Sequence, residues 1–116
     1  LNPLGKLDVT PYKELEHLNC QLMELTELDV RSNPKLKSLD CDENALRELD
    51  VTQNEELETL SCSDNQLTVL DVSRKTKLEY LSCNGNPLTA LDVSKCKGLK
   101  TLFYPREAVV RKRKRK

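Results

Sequence analysis

A period of 21 residues governs this chain. The triplet Leu-Asp-Val recurs at Leu7, Leu28, Leu49, Leu70 and Leu91, and a cysteine recurs at Cys20, Cys41, Cys62 and Cys83, with no insertion or deletion between them. So short a fixed period admits few folds. One repeat is too small to enclose a core and buries its apolar side only against its neighbours, so the repeats must stack as a solenoid. Five such coils take up residues 1–105 of the 116, leaving 106–116 as a C-terminal tail and no room for a second domain.

Each coil divides into two half-units, one ending in valine and one in cysteine. The second half-unit with the start of the next coil reads Leu57-x-x-Leu60-x-Cys62-x-x-Asn65-x-Leu67. That is the repeating element of leucine-rich repeats, with cysteine in the third apolar slot. Leu60 and Cys62 alternate with Thr59, Ser61 and Ser63, the period of a strand with one buried face. Stacked coils pair these strands in parallel roughly 4.8 Å apart, so five coils span about 24 Å. The half-unit Leu-x-x-Leu-Asp-Val crosses the opposite, convex side as a short extended or turn-like segment. Ten or so residues cannot hold a strand, two turns and a long helix. The expected fold is therefore a leucine-rich repeat solenoid of five coils, right-handed by default, with a short parallel β-sheet on the concave face and little or no α-helix.

The motifs LDVS, LxCxxN and NPL resemble those of the bacterial surface leucine-rich repeat proteins with 21-residue cysteine-containing repeats, the internalin J-like family, over roughly residues 1–105. The resemblance implies an exported protein, at the cell surface or secreted, whose repeats serve as adhesive or protein-binding modules. The chain departs from the family's pattern at Lys75 and Cys96, which stand in an asparagine column. The sequence opens inside the pattern, with Asn2-Pro3-Leu4 equivalent to Asn86-Pro87-Leu88, which suggests a piece of a longer protein.

The recurring columns read as structure. Cys20, Cys41, Cys62 and Cys83 share an inward slot on adjacent strands, about 4.8 Å apart. A disulfide wants Cβ atoms about 3.5–4.5 Å apart, so these act as small buried hydrophobes where leucine would overfill the coil. No paired C-x-x-C ligands point to zinc. Cys96, in an asparagine column, is expected to be partly exposed and is the one thiol worth testing for reactivity. Asn44, Asn65 and Asn86, with Asn2 at the start and Met23 as the gap, satisfy backbone groups of the turn that would otherwise be buried without partners. A second column holds Asn33 and Asn54, then lapses. Asp8, Asp29, Asp50, Asp71 and Asp92 cap the convex turns. Calcium-binding β-rolls also stack aspartates, but they use dense glycine, and this chain has three glycines. No metal or other cofactor is expected.

Function is left to the outward residues of the strands. Their columns are His17, Ser38, Thr59, Tyr80 and Thr101; then Asn19, Asp40, Ser61, Ser82 and Phe103; then Gln21, Asp42, Ser63 and Asn84. Tyr80 and Phe103 are the aromatics in these columns, and aromatics are enriched at interface hot spots. Asp40 and Asp42 add an acidic spot, and His17 is the only histidine. With no recognisable nucleophile motif and no phosphate-binding loop, catalysis finds no support. The expected function is a non-catalytic protein-binding or adhesion module acting through Tyr80, Phe103, Asp40, Asp42 and His17, with a host or bacterial surface protein as partner. One alternative is a structural spacer with no ligand of its own.

Charge supplies another alternative. Residues 1–105 carry 12 basic and 18 acidic residues, whereas 106–116 carry seven basic residues and Glu107. The run Arg111–Lys116 suits contact with polyanions, but without interleaved aromatics it has little means of recognising a nucleic-acid sequence. No apolar run is long enough to span a bilayer.

Overall fold

The computed structural model describes residues 5–113. Seven three-residue strands follow one another: β1 (His17–Asn19), β2 (Ser38–Asp40), β3 (Thr59–Ser61), β4 (Tyr80–Ser82), β5 (Ala90–Asp92), β6 (Thr101–Phe103) and β7 (Val109–Arg111). Among the described residues there is no helix. Strands β1, β2, β3, β4 and β6 form one parallel sheet, in that order, and every neighbouring pair is in register at the sequence period, Leu18 beside Leu39, Leu60, Leu81 and Leu102. The ladder runs on past each strand, with the amides of Cys20, Cys41, Cys62 and Cys83 donating to the carbonyls of Asp40, Ser61, Ser82 and Phe103. This is the leucine-rich repeat solenoid expected from the pattern.

The scheduled leucines, valines and cysteines fill one continuous core. Leu36, Leu39, Leu46, Leu57, Leu60, Leu67, Leu78 and Leu81 are fully buried, and Val30, Val51 and Val72 close the opposite wall. Removing a buried leucine such as Leu60 would leave a cavity worth roughly 2–5 kcal/mol. At the two ends the same columns are only partly covered: Leu7, Leu15, Leu18 and Met23 in the first coil, and Leu99, Leu102, Tyr104 and Val110 after the fourth. A coil with one neighbour buries one side.

Behind the sheet, two successive tight turns carry the chain round each coil. Their shared residue is 12, 33, 54, 75 or 96: its amide donates to the valine three residues back, and its carbonyl accepts from the leucine three residues on, as in Asn54 N to Val51 O and Leu57 N to Asn54 O. The aspartates stand just before these turns. Asp8, Asp50, Asp71 and Asp92 each accept both the amide and the hydroxyl of the Thr or Ser two residues on, the hydroxyl at 2.6 Å. Asp29 instead grips Arg31 through its amide, Nε and Nη2, each at 3.0 Å. Capping is the role these bonds perform, and they hold the five carboxyls below the usual aspartate range, Asp29 near 2.

Beyond Tyr104 the pattern was expected to stop, but the chain makes one further half-turn. Strand β7 pairs in parallel with β5 on the convex side, Val110 beside Leu91. The offset is 19 residues rather than 21 and the leucine has become valine, which is why the repeat is not visible there. Lys112 then lies over the Tyr104 ring, 5.7 Å from its centroid. Asn2, at the start of the asparagine column, and Lys114, Arg115 and Lys116 of the basic run lie outside the described residues.

Candidate functional site

Period two along β1–β4 turns every second side chain away from the core, and the sheet register sets these outward residues side by side. His17, Asn19, Ser38, Asp40, Asp42, Thr59, Ser61 and Tyr80 line one shallow trough along the sheet. Four of the five expected site residues therefore share a surface. Phe103 is the fifth, on the last strand. Its ring meets Tyr80 edge to face, with centroids 6.1 Å apart and planes at 61°, and it remains 48% exposed.

Hydrogen bonds fix the polar end of the trough. The His17 Nδ1 and Ser38 Oγ are 2.7 Å apart. Asp40 accepts the Asp42 amide at 3.1 Å. Asp42 is the best anchored: its Oδ1 accepts the Ser61 hydroxyl at 2.7 Å and the Ser63 amide at 2.7 Å, while its Oδ2 lies 2.9 Å from the same hydroxyl. Ser63 in turn shares a 2.7 Å bond with Ser82. Ser38, Ser61 and Ser63 thus orient His17 and Asp42. Serine in an outward column announces no such role, and the available signal is the spacing of 19 to 21 residues from the groups these serines hold.

Charge is distributed differently on the flanks. Glu14, Glu16, Glu56 and Glu79 each meet a lysine one coil away, Lys35, Lys37, Lys77 and Lys100. None of the trough columns carries a lysine or arginine. The face is thus a hydroxyl- and carboxylate-lined surface with an aromatic edge at one end.

Beneath this surface the cysteines are inert. All five are free thiols and buried. Burial pushes Cys20 and Cys83 up to about 11 and drives Cys41 and Cys62 higher still, with the neighbouring thiols adding to the shift. A thiol that stays protonated at neutral pH is a poor nucleophile. Cys96 corrects the expectation of partial exposure: it is 3% exposed, and its Sγ donates to the Val72 carbonyl at 3.2 Å. A polar column need not be a surface column, because this one points at the carbonyls of the coil before it.

The asparagines are the stitches between coils. Asn65 Nδ2 donates to the carbonyls of Cys41, Cys62 and Ser63, and its Oδ1 accepts the Leu46 amide at 3.0 Å. Asn44 and Asn86 repeat the arrangement one coil to either side. Each side chain serves its own turn and the preceding coil at once.

Residues 55–95 match the family model for leucine rich repeats in two copies. No curated relative matches the chain. Among solved structures the chain is similar to the functional domain of InlJ from Listeria monocytogenes, which includes a cysteine ladder: 34% identity over 88% of this chain, with a TM-score of 0.73. It spans 28% of that protein's length. The chain is a leucine-rich repeat protein of the internalin J-like kind, with a cysteine ladder of its own, and its fold supports a protein-interaction module.

Proposed function

We propose that this internalin J-like solenoid binds a protein partner through its concave face and belongs to an exported, surface-located bacterial protein, where it acts in adhesion. The observation that carries the reading is the contrast between the flanks, where Glu14, Glu16, Glu56 and Glu79 are answered by lysines one coil away, and the trough, which pairs Asp40 and Asp42 with the half-buried Tyr80 and exposed Phe103 and holds no lysine or arginine. Buried apolar anchors and a few oriented polar groups are what an interface core needs. Tyr80 and Phe103 are the anchors, Asp40 and Asp42 receive a cation or amide, and His17 with Ser38 bounds the far end. The similarity to the InlJ functional domain supports location at a bacterial surface.

The test is to replace Tyr80, Phe103 and Asp40 with alanine, one at a time, and to measure binding to candidate host and bacterial surface proteins. Loss of about tenfold or more for either aromatic, with the melting curve unchanged, is the expected result. Full binding by all three variants would remove the concave face from consideration.

A further inference from the structure

On the convex side two outward columns run along the axis. One reads Glu27 and Glu48, then changes character to Val69, Ala90 and, through the β5–β7 pairing, Val109. The other reads Asp50, Asp71 and Asp92, and the same pairing continues it with Arg111. Val69 is 71% exposed and Val109 75% exposed. They line a shallow groove with Thr68, Thr89, Ala90 and Arg111. A lone exposed valine is ordinary, but three apolar residues on consecutive coils of a β-surface form a patch. Beside the patch the aspartate column changes sign in the last coil, from Asp71 and Asp92 to Arg111.

With Asp71 one coil to one side of Ala90 and Arg111 one coil to the other, the patch is complementary to itself turned end for end. We propose that this patch is the interface of a homodimer whose two-fold axis lies parallel to the strands and passes over Ala90. That axis sets Val69 against Val109 of the second copy, Ala90 against its own counterpart, and Asp71 against Arg111 of the second copy. An isologous interface makes every such contact twice. Asp92 meets its counterpart on the axis, and Arg111 and Lys95 offset that repulsion, since both already favour the charged form of Asp92 within one chain. The patch is small beside the interfaces of permanent dimers, so the dimer is weak and forms as concentration rises.

Sedimentation equilibrium on the whole chain, over a range of protein and salt concentrations, tests this. The expected result is a reversible monomer–dimer equilibrium that weakens with salt. Val69→Glu and Val109→Glu should each raise the dimer dissociation constant about tenfold or more. Arg111→Asp should weaken it as well, and adding Asp71→Arg to that variant should recover most of the loss, because the swap rebuilds the pair across the axis. Thermal melts confirm that each variant is folded. A chain that stays monomeric at every soluble concentration overturns the proposal. So does a dimer indifferent to both Val69→Glu and Val109→Glu, or one dissociated by Tyr80→Ala instead.

Discussion

Two columns of asparagine stitch the coils together, and they end differently. In the first, Asn44, Asn65 and Asn86 use both ends of the amide, the nitrogen on carbonyls of two coils and the oxygen on a backbone amide of the coil before. In the second, Asn33 and Asn54 use only the nitrogen. Asn54 Nδ2 donates to Val30 and Asn33 at 2.9 Å each, while the Oδ1 atoms of both residues are buried without a partner. The second column then lapses to Lys75 and Cys96, both buried. The difference teaches what the position demands. Where donor and acceptor are both consumed, asparagine recurs in three successive coils and gives way to Met23 only in the first coil, which has a single neighbour. Where one carbonyl-directed donor suffices, a thiol or an amine stem is tolerated.

Breaking the first column should cost most. Asn65→Ala leaves the buried Leu46 amide without its partner and removes three bonds to carbonyls of Cys41, Cys62 and Ser63, which keep the Asn44 side chain, the Asn86 side chain and the Glu43 amide as donors, and should destabilise by roughly 3 kcal/mol in urea unfolding. Asn54→Ala leaves no group without a partner, because both carbonyls also accept backbone bonds, and it removes an orphaned oxygen, so about 1–2 kcal/mol is expected. Equal losses would erase the distinction between the columns. Repairing the second column is the converse experiment. Lys75→Asn should donate to Val51 and Asn54 as Asn54 does to Val30 and Asn33, with a gain of about 1 kcal/mol at neutral pH. Burial lowers the Lys75 pKa from its ordinary 10.5, so between the two values the unfolded chain binds a proton that the folded chain does not. Wild-type stability therefore rises with pH through that window relative to the variant, and the advantage of asparagine should shrink towards pH 10.5. Cys96→Asn, which replaces one sulfur bond with two amide bonds, should gain a few tenths of a kcal/mol.

The smallest effect separates these inner amides from the outer aspartates. Amides do not titrate in acid, whereas the aspartate caps do. Folding holds those carboxyls below their ordinary 3.8, so their contribution is full above that value and is lost as pH falls through the folded values towards about 2. Asp50→Asn should flatten part of this acid limb and leave neutral stability nearly unchanged, as read by melting temperature against pH.

How far the sequence revealed this molecule depended on whether a residue obeyed the period. Core columns and trough residues could be assigned because register and alternation follow directly from the spacing, so His17, Asp40, Asp42 and Tyr80 could be set on one surface before any coordinates. What was hidden had left the period or changed its chemistry. Strand β7 sits at an offset of 19 residues with valine for leucine. Cys96 looked like a surface residue because its asparagine column looks polar, although the carbonyl it addresses is inside. The Ser61 hydroxyl and the Ser63 amide that hold Asp42 escaped notice because serine on a strand face carries no signal of its own; only the carboxylate one coil away gives it a role.

The turn after each sheet strand has a consequence for repeat exchange. Leu22, Glu43, Asp64 and Gly85 occupy its left-handed position, with φ of 58°, 56°, 57° and 74°. Only the last is glycine, and a Cβ there would lie 2.1 Å from Asp64 Oδ1. The carboxyl of one coil thus uses the room that the next leaves open. Coils that look like identical cassettes are therefore ordered goods: a copy of the third inserted in place of the fourth would bring a side chain into that gap, so a duplication or shuffling event at this point must be followed by a compensating change in its neighbour.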